Sequence, residues 1–261
     1  MENRKVVFID YDGTLYDHSI NKIHDEVVRL LKVAKETKKV DIYLTTGRPM
    51  IYLKYKKDIL ENLRGVISTN GSYIEIDKNK VFEQVIDRKS LENLFIYSNQ
   101  NKISILFFGD KSSYINFKDK DLEKRFTTNN DYPIRIIDIF DEIVEDIYQV
   151  CIFSDNKVID VMKPHFPKLE IYKWGSGGAD IVLKGISKGN AIKKIIDMKG
   201  YKFENTYGIG DGENDIPMFN STFNSIAMGN ASDETKKHAK RMTERIENRG
   251  LEIILEEIIK K

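Results

Sequence analysis

Two aspartates stand two residues apart in Asp10-Tyr11-Asp12-Gly13-Thr14, directly after the apolar run Val6 to Ile9. Side chains of an extended strand alternate between faces, so carboxylates two apart point the same way. Gly13 then lets the backbone turn sharply out of the strand. Two neighbouring carboxylates in a partly buried place repel each other unless a cation joins them. A few oxygen donors suit Mg²⁺, which keeps part of its water shell and shares the phosphate of a substrate. A second acidic stretch, Gly210-Asp211-Gly212-Glu213-Asn214-Asp215, also follows a short apolar run. If a helix starts there, Asp211 and Asp215 are four apart and project together. A calcium loop is excluded, because Ile216 stands where that loop needs glycine and Thr222 where it needs a bidentate glutamate.

Two further stretches have chemical potential. Thr45-Thr46-Gly47-Arg48-Pro49 puts a hydroxyl at the end of an apolar strand and before a helix start. Free N–H groups at a helix N-terminus attract phosphate, although plain capping by threonine accounts for the same residues. Lys188, in Gly185-Ile186-Ser187-Lys188-Gly189, reads on its own as a solvated lysine.

The elements around these residues alternate in period. Val6 to Ile9, Val40 to Thr45 and Val66 to Ser68 read as buried strands. Val27, Leu30, Leu31 and Ala34 form a helical stripe, and Pro49 to Leu60 reads as a helix begun by proline. Strand and helix in alternation imply right-handed crossovers and a doubly wound, Rossmann-like parallel sheet: an α/β fold. The middle of the chain differs. A hairpin is expected over Ile74 to Val85, turning at Asp77-Lys78-Asn79. A helix near Lys89 to Ser98 and successive strands as far as Leu183 then indicate a mostly antiparallel α+β unit. After Lys184 the alternating pattern returns. The expected organisation is a discontinuous core over 1–82 and 185–261, with a domain over 83–184 inserted into it.

Composition narrows the partners. Lys and Arg total 42 against 41 Asp and Glu, a net charge of +1, which favours neither nucleic acid nor membrane surfaces. The Lys-rich stretches Lys54 to Lys57 and Lys236 to Lys240 read as solvated helix faces. Cys151 is the only cysteine, which precludes an internal disulfide and fits a reducing compartment. Val6 to Ile9 is too short for a signal-peptide core or a membrane span, so a cytoplasmic location is expected.

In order along the chain, Asp10-Tyr11-Asp12-Gly13-Thr14, Thr46-Gly47-Arg48, Lys188 and Gly210 to Asp215 resemble the four motifs of the haloacid dehalogenase-like hydrolases. Thr-Asn-Gly-Ser at 69–72, Ser-Lys-Gly-Asn-Ala at 187–191 and Ala-Met-Gly-Asn-Ala at 227–231 are similar to the Cof-type phosphatases within that family. Tyr11 and Tyr16 stand where the family usually has aliphatic residues, and Leu183-Lys184 replaces a segment that usually contains proline. The resemblance implies a phosphatase of small phosphorylated metabolites, with Asp10 as nucleophile and Asp12 as acid and base. It implies Mg²⁺ held by Asp10, the Asp12 carbonyl and Asp211, and phosphoryl oxygens held by Thr46, Gly47, Lys188 and Asn214. Asp215 would orient the metal shell or Lys188, and Arg48, Asn70 and Gly71 would lie on the substrate side. The inserted domain, with the Trp174 to Gly178 turn as one candidate wall, would set specificity.

Other functions compete with this one. A phosphomutase uses the same motifs but returns the phosphoryl group to substrate, and a phospholigand sensor would bind without turnover. Gly185-Ile186-Ser187-Lys188-Gly189 also fits the G-x-S-x-G elbow of serine hydrolases, with Asp211 and His238 following in the required order. That reading leaves Asp10, Asp12 and Asp215 without a role.

Overall fold

The computed structural model describes residues 4–53, 57–117, 134–174 and 177–260. They form two compact units, one from the described residues of 1–47, 55–82 and 187–261, the other from those of 48–54 and 83–186.

The first unit begins with β1 (Lys5–Asp10), α1 (Asp25–Thr37) and β2 (Val40–Thr45). The stripe of Val27, Leu30, Leu31 and Ala34 makes α1 amphipathic and is buried, while Asp25 and Glu26 in its first turn complement the helix dipole. Short helices α2 (Met50–Leu53), which groups with the second unit, and α3 (Lys57–Leu60), in the first, occupy the stretch read as one helix; residues 54–56, and with them most of the Lys54 to Lys57 stretch, lie outside the described residues. Then come β3 (Gly65–Ser68), β4 (Tyr73–Ile76) and β5 (Asn79–Glu83). The turn between β4 and β5 holds Asp77 and Lys78 at φ 53° and 65°, the paired positive values of a two-residue hairpin.

The second unit contains α4 (Arg88–Gln100), β6 (Ser104–Gly109), β7 (Ser113–Ile115), β8 (Ile134–Ile136), β9 (Ile147–Phe153), α5 (Asn156–Met162), β10 (Leu169–Lys173) and β11 (Ala179–Leu183). Its sheet runs β10-β11-β9-β6-β7-β8. The pairings are antiparallel except β7 with β8, which is parallel. One face packs under α4 and α5 through Leu91, Leu94, Phe95, Ile159 and Met162 against Ile105, Phe107, Val150 and Ile152. Cys151 points to the other face, where its thiol donates to Asp180 Oδ1 at 3.1 Å. Of the Trp174 to Gly178 turn, residues 175 and 176 lie outside the described residues.

The chain re-enters the first unit with α6 (Lys188–Lys199), β12 (Thr206–Gly210), α7 (Ile216–Phe219), β13 (Asn224–Ala227), α8 (Asp233–Lys237), β14 (Arg241–Met242) and α9 (Gly250–Lys260). Its sheet runs β14-β13-β12-β1-β2-β3-β4-β5. From β14 to β3 every pairing is parallel, and β4 joins β3 antiparallel. This is the α/β architecture that the alternating pattern predicts. Winding runs from β1 outward to β2 on one side, and the late strands build away from it on the other. The switch therefore falls between β1 and β12, whose carboxyl ends are where such sheets bind ligands.

Candidate active site

Asp10 ends β1 and is buried. Beside it, at the end of β12, the chain turns through Gly210-Asp211-Gly212 into a single 3₁₀ turn, Glu213–Asp215. Asp215 Oδ2 accepts hydrogen bonds from the Asp211 and Gly212 N–H groups at 3.0 and 2.9 Å, which closes this turn. Its other oxygen, Oδ1, accepts from Lys188 Nζ at 2.6 Å. Lys188 is the first residue of α6; its ammonium also donates to Asp10 Oδ1 at 2.5 Å, and its side chain is 0% exposed. The lysine that reads alone as solvated is thus the buried cation between two aspartates. Thr14 Oγ1 donates to Asp211 Oδ1 at 2.9 Å, and Asn230 Nδ2 donates to Asp211 Oδ2 at 3.2 Å and to the Gly13 carbonyl at 2.8 Å. Gly13 has φ +77°, and a β-carbon there would collide with the Asp211 carboxylate, so this approach of the two loops requires glycine.

Oxygen atoms of Asp10, Asp211 and Asp215 lie within 4.8 Å of one another. Burial, then the charge of Asp215, pushes the Asp10 carboxyl well above the usual range, and the same two causes hold Asp211 up to about 7. Burial alone would lower the Lys188 pKa, but Asp10 and Asp215 outweigh it and raise the ammonium above its ordinary value. One ammonium does not neutralise this many buried carboxylates. A hard dication beside Asp10 and Asp211 would favour both anions, and the all-oxygen donor set fits Mg²⁺.

β1 ends at Asp10, so Asp12 lies beyond the strand, where the chain is already turning, and its charge is among those that raise the Asp10 and Asp211 carboxyls. Asp12 Oδ1 accepts from His18 Nε2 at 2.8 Å, with side chains 40% and 56% exposed. The ring of His18 meets Tyr16 edge-on at 5.1 Å, and Tyr16 stacks on Tyr11 at 5.3 Å. Thr46 is buried, and its N–H and carbonyl are held by Ile67 O at 2.9 Å and Asn70 N at 3.0 Å. The helix expected to begin at Pro49 starts at Met50. Gly47 falls in the first unit and Arg48 in the segment grouped with the second. Asn70 is buried, and its Oδ1 accepts from Asn214 Nδ2 at 3.0 Å. Gly71 abuts the Ser187 carbonyl. The hydroxyl of Ser187 accepts from Asn190 N at 3.0 Å as the N-cap of α6, and His238 sits 3.6 Å from Glu234 on the surface. These contacts assemble no serine triad.

The family profile described as haloacid dehalogenase-like hydrolase matches residues 7–255. The chain is a haloacid dehalogenase-like hydrolase. Among curated relatives of this hydrolase, Bacillus subtilis YkrA, which bears the name of a phosphatase, is 26% identical over 258 residues, 97% of either chain. The 5-amino-6-(5-phospho-D-ribitylamino)uracil phosphatase YcsE of Bacillus subtilis is 27% identical over 243 residues, covering 92% of this chain and 90% of its own. Among solved structures, the HAD subclass IIB sugar phosphatase BT4131 superposes with TM-score 0.88 at 24% identity, over 97% of this chain and 98% of that one. That likeness is one of fold. Among the described residues of the hydrolase, no helix is long and apolar enough to cross a membrane.

Three contacts of the hydrolase's site have no counterpart in the motif reading: His18 with Asp12, Asn230 with Asp211, and Asn70 with Asn214. Asn230 stands in the segment 227–231, where the sequence supplied a signal without a role, and Asn70 in 69–72, where the resemblance put it on the substrate side rather than against Asn214. His18 carried none, because a histidine six residues past an aspartate matches no periodic or turn pattern.

Proposed function

We propose that this hydrolase is a magnesium-dependent phosphatase of small phosphorylated metabolites that works through an aspartyl-phosphate on Asp10. The observation that carries the reading is the buried 2.5 Å contact of Lys188 Nζ with Asp10 Oδ1, beside Asp211 and Asp215. An aspartate oriented by an ammonium at the carboxyl end of a central strand suits nucleophilic attack on phosphorus. The names of YcsE and BT4131, a phosphoribityl-compound phosphatase and a sugar phosphatase, support a phosphate monoester as substrate.

In the first step, an Asp10 carboxylate oxygen bonds to phosphorus while the ester P–O bond breaks, and Asp12 gives its proton to the departing oxygen. In the second step, water attacks that phosphorus and Asp12 takes its proton. The bond to Asp10 breaks, phosphate leaves, and both aspartates return to their starting states. Lys188, Thr46, Asn214 and the backbone at Gly47 hold the phosphoryl oxygens, and Asp215 keeps Lys188 aimed at Asp10. Asp10, Asp211 and the Asp12 carbonyl would hold Mg²⁺, which supplies positive charge against the phosphoryl oxygens. Residues 83–184 select among phosphate esters.

The two tasks of Asp12 can be separated by choice of leaving group. An alkoxide needs a proton to depart, whereas p-nitrophenolate does not. Asp12→Ala should lose nearly all activity on sugar phosphates. With p-nitrophenyl phosphate it should release a burst of about one nitrophenolate per enzyme and then turn over slowly, because the second step still needs a base. Equal losses on both substrates without a burst would remove Asp12 from this role.

A further inference from the structure

The turn Thr69–Gly71 joins β3 to β4 and runs through consecutive left-handed residues, with φ 49°, 54° and 106°. A β-branched threonine and an asparagine in this region are held there against their preference, which surrounding contacts must over-determine. Those contacts are specific. The backbone of Asn70 donates to the Thr46 carbonyl at 3.0 Å. Its side-chain oxygen accepts from Asn214 Nδ2 at 3.0 Å. Gly71 lies so close to the Ser187 carbonyl that a β-carbon would come within 2.5 Å of it, one residue before Lys188. One buried turn therefore touches all three segments that carry Thr46, Lys188 and Asn214.

We infer that Asn70 is a positioning residue for phosphoryl binding, acting through Asn214 rather than touching substrate itself; this rests on the phosphatase reading above. The chemistry lies in the two unlike ends of an amide. Asn214 can give a phosphoryl oxygen either an N–H, which attracts it, or a carbonyl oxygen, which repels it. Asn70 Oδ1 is an acceptor, so the Asn214 end facing it must be the NH₂ group. One N–H of that group is spent on Asn70, and the other is left for the phosphoryl oxygen. Without the acceptor the amide can rotate, and half of its orientations oppose the anion. The left-handed backbone has a purpose on this account: it brings the Asn70 side chain to Asn214 while its own N–H binds Thr46.

The test is a double-mutant cycle on kcat/KM for p-nitrophenyl phosphate. Asn70→Gly suits the positive φ and removes the acceptor. Alone it should lower kcat/KM by about 10–100-fold, the usual cost of losing a partner that orients a site ligand. In the Asn70→Gly background, adding Asn214→Ala should cost less than about 3-fold, because Asn214 is already misdirected. In an Asn70→Asp background, which keeps an acceptor at the same place, Asn214→Ala should cost as much as it does in the parent. A merely structural role would leave the cost of Asn214→Ala the same in every background, and that result overturns the proposal. Asn70→Ser replaces Asn70→Gly should the latter not fold. If neither folds, a reduced cost of Asn214→Ala in Asn70→Asp overturns it. The phosphatase reading is judged separately: a parent that hydrolyses the ester and an inactive Asp10→Asn uphold it whatever the cycle gives. A parent without any phosphate-ester activity overturns both.

Discussion

Replacing Lys188 by methionine keeps the length and the apolar body of the side chain and deletes its charge. In the folded protein that charge lies 2.5 Å from Asp10 Oδ1 and 2.6 Å from Asp215 Oδ1 with none of the side chain exposed. Removing one partner of a buried ion pair typically costs ~3–5 kcal/mol, because the remaining charge is left uncompensated. Here two carboxylates lose their partner, and Asp211 adds a third within 4.8 Å. The upper half of that range is expected at pH 8 in a chelator. Protonation limits the damage. Burial and Asp215 already raise the Asp10 carboxyl, and loss of Lys188 removes the opposing influence. A folded-state carboxyl raised above its unfolded value binds more protons when folded, so stability recovers as pH falls. The deficit should therefore shrink between pH 8 and pH 5.5. Urea unfolding followed by circular dichroism reads this directly. With a slope near ~3 kcal/mol per molar, the steep end that suits a chain of this size, the midpoint should fall by about 1–2 M at pH 8 and clearly less at pH 5.5. Millimolar Mg²⁺ should restore part of the difference. Unchanged midpoints for Lys188→Met at pH 8 would refute the view that this ammonium compensates the carboxylates.

Asp211, held up to about 7, must lose a proton before it binds a cation. Apparent Mg²⁺ affinity, measured by calorimetry at pH 6, 7 and 8, should therefore weaken below pH 7, approaching about tenfold per unit; an affinity independent of pH would contradict the buried-carboxylate account. Asp17 is a buried carboxylate of the opposite sign: burial raises its pKa, but hydrogen bonds from Ser19 and His24 outweigh that and lower it. Its contribution is present above the unfolded value of ~3.9 and is lost as pH falls through the lower folded value. Asp17→Asn should thus depress Tm by roughly 3–8 °C at pH 7 and by much less at pH 3; a gap equally wide at both pH values would show that the charge of Asp17 is not what stabilises the loop.

How far the sequence revealed the site depends on what kind of signal each residue leaves. Asp10, Asp211 and Asp215 were legible because each follows an apolar strand, and strand ends in an α/β sheet are where chemistry collects. Lys188 was legible through family resemblance alone, since nothing in Gly185 to Gly189 betrays that its side chain is buried. Alternation alone could not place Asp12: the strand stops at Asp10, and Gly13 at φ +77° shows the turn already under way. In the rest of the fold, long apolar strands such as β9 and β11 announced themselves. Strand β14, Arg241–Met242, left no mark, because it is two residues long, both are exposed, and no apolar run surrounds them. The parallel pairing of β7 with β8 was equally invisible, because short strands carry no sign of direction.

Asp10 reaches its neighbours across most of the chain, and that has a bearing on biosynthesis. β1 is complete by residue 10, whereas β12, which pairs Val6 with Thr206 and Ile9 with Ile209, emerges about two hundred residues later. At a ribosomal rate of ~5–20 residues per second, that is a delay of about 10–40 s. During it β2 can cover one edge of β1, but the other edge of the run Val-Val-Phe-Ile stays open to any strand that meets it. The inserted residues are synthesised within this interval and can close their own sheet first. A nascent chain stalled before residue 206 would therefore present an adhesive apolar ribbon instead of a catalyst, and would be a substrate for chaperones until its last fifth arrives.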